Sequence, residues 1–131
     1  MSATPDIQDL TEQLLSLSKE MKTYSFEYHK ARAEFARCFN KITVLIYKAG
    51  LQNNRASFEN KIPMLIADPV YTDVAIALSS KMNDAQQTYK GLEQVIDAYK
   101  AEISAIQSII KFMNMGEITN AVNLKYAGRS Y

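Results

Sequence analysis

Tryptophan is absent from this chain, cysteine and histidine occur once each, and 131 residues contain only four glycines and three prolines. The lone Cys38 rules out a disulfide within the chain and a multi-thiolate metal cluster. The lone His29 rules out a histidine pair or a two-histidine metal site built by one chain, and a lone histidine next to an apolar stripe is most often an ordinary surface residue. Gly50, Gly91, Gly116 and Gly128 lie too far apart to form a phosphate-binding loop, which argues against nucleotide hydrolysis. No run of about 18 apolar residues exists, so no membrane span is expected. The opening MSATPDIQDL has neither the basic nor the apolar region of a secretory leader, and a cytoplasmic location is expected. Glycine and proline punctuate helices, so their scarcity points to long ones.

What is present agrees. With 47% apolar and 22% charged residues the composition is globular, and the length suits one domain. From Ile7 to Ala49 the apolar residues fall at Ile7, Leu10, Leu14, Leu17, Met21, Tyr24, Tyr28, Ala31, Phe35, Cys38, Ile42, Leu45 and Ala49, in unbroken steps of three and four. Such spacing is a heptad seam, a narrow stripe suited to packing on another helix. A second seam runs through Tyr71, Ala75, Leu78, Met82, Ala85, Tyr89, Leu92, Ile96, Tyr99, Ile103, Ile106, Ile110 and Met113. Thr4-Pro5-Asp6 and Asp68-Pro69 read as helix starts, and Gly50 and Gly116 as stops. The expected helices therefore span about 5–49 and 69–115. Between them, 50–68 should hold a short helix capped by Asn54 and disturbed by Pro63, and 117–131 should form a tail.

Reach decides the topology. A helix of about 45 residues is about 68 Å long, whereas the 19-residue connection extends at most about 65 Å, so a parallel return does not fit. The expected fold is all-α: an antiparallel hairpin of two long heptad-patterned helices joined through a short one, with facing residue numbers summing to about 117. One seam cannot bury everything apolar. Phe39, Ile46, Val74, Val95 and Ile109 flank it and are the candidate interface of a homo-oligomer.

Catalytic chemistry finds no support in the pattern. The carboxylates lie outside the seams with no Glu-x-x-His pair, so neither a metal nor a cofactor is expected, and the chain reads as a binding protein rather than an enzyme. Charge is uneven despite a net of +1. Residues 29–61 carry seven basic side chains against Glu34 and Glu59, a local excess of +5. Lys30, Arg37, Lys41 and Lys48 follow steps of seven, four and seven on one helix face and could track a phosphate backbone; Arg55 and Lys61 extend the candidate set. The alternative is that this face is spent on ion pairs with Asp68, Asp73 and Asp84 across the hairpin.

With its basic first helix, the Leu65-x-Ala67-Asp68 segment after Glu59 and Lys61, and Ile-rich final turns, the chain resembles the small all-helical accessory proteins of phage replication and recombination, the UvsY-like recombination mediators in particular. That resemblance implies a homo-oligomer in a bacterial host's cytoplasm that binds single-stranded DNA and helps load a recombinase. The competing class is a coiled-coil adaptor, scaffold or inhibitor that works only through protein contacts.

Overall fold

The structure, a computed structural model, describes the backbone of residues 6–127 and the side chains of residues 6–116. Among the described residues there are three helices and no strand: α1 Ile7–Lys48, α2 Phe58–Ala67 and α3 Thr72–Ala127. The chain divides into two compact units. One is Ser25–Gln94; the other combines the segment up to Tyr24 with the segment from Val95.

In the Ser25–Gln94 unit, α1 and α3 pack in opposite directions with α2 between their joined ends. Cys38, Ile42 and Ile46 of α1, Leu65 of α2, and Ala75 and Met82 of α3 form one buried cluster. Toward the start of the unit Tyr28 meets Tyr89 edge-on at 6.2 Å, a pair whose numbers sum to the expected 117. Every expected seam position of this unit is buried or half-buried. Burial of these side chains is the main stabilising term here, since each fully buried Leu or Ile contributes about 1.5–3 kcal/mol.

The ends of the elements are set by polar groups. α1 stops as anticipated at Gly50, whose φ of +75° suits a residue without Cβ. There the Gly50 N–H donates to the Tyr47 carbonyl at 3.1 Å and the Leu51 N–H to the Ile46 carbonyl at 2.9 Å, a Schellman closure that folds Leu51 onto the core. α2 is capped by Ser57 rather than Asn54: the Ser57 hydroxyl accepts from the Asn60 N–H at 3.3 Å, while Asn54 accepts from the Ala56 N–H at 2.8 Å in the preceding turn. Phe58, Ile62 and Ile66 pack on the cluster around Leu65, at the spacing that puts them on one helical face. Pro63 sits exposed on the other side, and the helix runs through it.

Asp68 links α2 to α3. Its N–H donates to the Leu65 carbonyl at 3.1 Å, its carbonyl accepts from Tyr71 and Thr72, and its carboxylate accepts from the Val70 N–H at 3.0 Å. The start signal at Asp68-Pro69 is therefore used, but three residues of turn precede the first residue of α3. Thr72 fastens the junction: its one O–H is shared between the Ile66 carbonyl at 2.6 Å, an acceptor left open at the end of α2, and the Asp68 carbonyl at 2.8 Å.

In the other unit, Leu10, Ile96 and Ile106 are buried, and Tyr24 packs on Tyr99 with ring centroids 5.4 Å apart. The Tyr99 hydroxyl donates to Glu20 at 2.8 Å. That hydrogen bond, with some burial, pushes the phenol up to about 12, because ionisation would set two anions side by side. Asp6 caps α1 by accepting from the Asp9 N–H at 2.8 Å; Thr4 and Pro5, the expected start, lie outside the described residues. The expected stop at Gly116 is not used, and α3 continues through it to Ala127. Gly116 has an ordinary helical backbone, and a Cβ there would meet none of the described residues within 4 Å. The tail expected from 117 onward is helical as far as Ala127, and its side chains lie outside the described residues.

Candidate functional site

The candidate cations of α1 all stand in solvent, and they differ in what they touch. Arg37 pairs with Glu34 one turn earlier in the same helix. It is the only ion pair among the described residues, so Lys30, Lys41 and Lys48 have no carboxylate within 4 Å. Asp68, Asp73 and Asp84 do not take them up in the described structure. Arg32 is engaged elsewhere, its guanidinium carbon 4.8 Å from the centre of the Tyr89 ring. Arg55 lies exposed in the turn before α2, and Lys61 is half-buried on α2, so neither continues the row on α1.

A groove of about 520 Å³ runs beside this row between α1 and α3. Lys30, Arg37 and Lys81 face Glu27, Glu34 and Asp84 along it, so its charges balance. Excess positive charge is therefore concentrated toward Lys41 and Lys48. Cys38 lies under the groove's Glu34 side, its thiol 3.7 Å from a Glu34 carboxylate oxygen. Burial first, and the Glu34 carboxylate second, push this thiol's pKa up, which makes it a poor nucleophile.

The residues proposed for self-association part company. Ile46 is 6% exposed, covered by the cluster around Leu65, so the extra neighbour it called for is α2 rather than another chain. Phe39 is partly covered in the same way, stacked on Phe58 with centroids 4.3 Å apart. Val74, Val95 and Ile109 remain exposed. Phe39 and Phe58 also line a second groove of about 510 Å³, floored by Met82 and rimmed by Ser79, Asn83 and Gln86.

Sequence reasoning passed over one set of residues. Phe26, Val44 and Tyr47 are exposed on α1, the two rings at 68% each, on the side away from the core. Their signal was a second row of three-and-four steps, diluted by the polar residues between them. His29 is exposed beside Tyr28, with ring centroids 5.3 Å apart. Among the described residues no group of three or more His, Cys, Asp or Glu side chains is arranged to hold a metal ion, and no helix is long and apolar enough to cross a membrane. No family model matches the chain, and comparison with curated proteins and with solved structures finds no match either.

Proposed function

We propose that this chain is a non-enzymatic accessory protein that binds the phosphate backbone of single-stranded DNA along α1, in the role of a phage recombination or replication accessory that works beside a recombinase. The observation that carries the reading is the row of exposed lysines, Lys30, Lys41 and Lys48, with no carboxylate partner among the described residues. A row of unpaired ammonium groups along one straight element suits a regularly spaced polyanion, and each contact gains from release of condensed counterions. Arg37 is held by Glu34 and contributes less.

The salt dependence tests this directly. Three free cations imply a log-log slope of affinity against salt of about −2 for a single strand, at about 0.7 per contact. Lys41→Gln with Lys48→Gln should weaken binding and flatten the slope to about −0.7, while circular dichroism stays unchanged because both positions are exposed and Gln favours helix. Filter binding of an oligonucleotide at two salt concentrations measures both quantities. Absence of binding at low salt would refute the proposal.

A second reading, an adaptor, scaffold or inhibitor that assembles with itself or another protein, is favoured by the exposure of Val74 and Ile109 at 47% each. Light scattering across a concentration series, with Val74→Ser and Ile109→Ser as variants, tests the self-associating form.

A further inference from the structure

Seven consecutive positions of α1 in steps of four and three, Phe26, Lys30, Ala33, Arg37, Asn40, Val44 and Tyr47, are all exposed. They form a stripe on the outer face of α1, because such steps keep residues on one face of a helix, and its Lys30 and Arg37 also border the groove toward α3. Its ends carry aromatic rings and its middle carries cations. Isolated exposed apolar residues are common and call for no explanation. A stripe that carries two rings and the unpaired Lys30, with Lys41 and Lys48 one position beside its Asn40 and Tyr47, combines the two elements that hold single strands, planar surfaces for bases and charge for phosphates.

We infer that Phe26 and Tyr47 are base-stacking residues, and that the stripe between them is the track of a single-stranded nucleic acid. The inference rests on the phosphate-binding role proposed above and adds the residues that meet the bases. A partner helix suits the stripe poorly. Docking one would bury Lys30, Arg37 and Asn40 at the centre of the contact, where charges lose hydration without compensation. For a polyanion the same residues are contacts. Duplex suits it poorly too, since base faces are hidden in the stack, whereas a single strand offers them without unpairing. The rings stand 21 positions apart, or about 32 Å along the helix, so a strand must run along α1 rather than across it to reach both.

The test uses the full chain with three probes of equal length: oligo(dT), an abasic deoxyribose-phosphate polymer and a duplex. Wild type should bind oligo(dT) more tightly than the other two. Phe26→Ala and Tyr47→Ala should each weaken oligo(dT) binding by about fivefold or more, leaving the abasic polymer's affinity and the salt slope unchanged. Phe26→Trp and Tyr47→Phe, which keep a ring, should retain binding. Equal affinity for oligo(dT) and the abasic polymer, untouched by the alanine variants, would overturn the stacking role while leaving the phosphate contacts standing. Failure of all three probes to bind at low salt would overturn both. A drop in sedimenting mass for Phe26→Ala would also overturn it, by showing that a second copy covers the stripe.

Discussion

Replacing Leu65 by Ala probes how firmly α2 is seated. Leu65 is fully buried among Cys38, Ile42, Ile46, Ala75 and Met82, and it is the only fully buried residue of the ten in α2. Truncation removes three carbons, worth about 2.4 kcal/mol at about 0.8 per carbon, before any cavity forms. A cavity that does not collapse brings the loss toward 5 kcal/mol, the upper end for Leu→Ala. α2 is short and tied at both ends, by Ser57 at its start and by Asp68 and Thr72 at its finish, so it has little freedom to sink into the space. The expected loss is about 3–4 kcal/mol, a large share of the 5–15 kcal/mol typical of a domain. Urea unfolding followed at the helical circular dichroism band measures it, with the midpoint falling and the slope unchanged. Cys38 gives a second readout, because lifting α2 uncovers the cluster and should speed its reaction with a disulfide reagent. A loss below about 1 kcal/mol with Cys38 still protected would refute the packing assigned to α2.

Three further outcomes are expected. In the wild type, Cys38 should react with a disulfide reagent far more slowly than a free thiol at pH 8 and reach the free rate only in denaturant, since it is 2% exposed and its pKa is raised by burial and by Glu34; rapid native-state reaction would contradict the structure. Tyr99 has a phenol pKa raised from 10.0 to about 12, so its hydrogen bond to Glu20 stabilises the fold fully below pH 10 and the contribution disappears as pH rises through about 12. Spectrophotometric titration should show a late tyrosinate component that Tyr99→Phe removes. Gly116→Ala should raise stability by about 0.4–1 kcal/mol, because the backbone is helical and the space open, whereas Gly50→Ala should lower it because φ is +75° there. Thermal melts of the two variants moving in the same direction would contradict one of the two assignments.

The seams were legible because burial in a helix pair leaves a mark of three-and-four spacing that few other arrangements produce. Their positions are buried or half-buried in both units, with Tyr24, at 36%, the one exception. Signals of a single residue were less dependable. Gly50 ends α1, but Gly116, with the same chemical freedom, does not end α3; glycine permits a left-handed stop without demanding one. Asn54 and Ser57 are both competent caps, and the choice between them was settled by where Phe58 and Leu65 had to point to reach the cluster. The extra apolar surface at Phe39 and Ile46 was read correctly as needing a neighbour. Its identity as α2 depended on how the connection folds back, which spacing along α1 does not encode.

The candidate interface illustrates a different limit. Charges at seven- and four-residue steps can be read as a row from sequence, but whether a row is free to bind depends on what neutralises it. Across the hairpin the nearest expected partners were Asp73 and Asp84, yet the described ion pair is the local one, Arg37 with Glu34. A local pair costs little rotamer freedom beyond that already lost in the helix, while a pair across two helices must also match in height and reach. Lys41 and Lys48 lack such a local carboxylate: positions three and four residues to either side of them are Arg37, Cys38, Val44, Leu45, Leu51 and Gln52. Their freedom is thus written in the sequence after all, in the composition of the neighbouring turns. The same inspection finds Glu27 and Glu34 beside Lys30, which places the strongest net charge at Lys41 and Lys48, flanking the Asn40–Tyr47 end of the stripe.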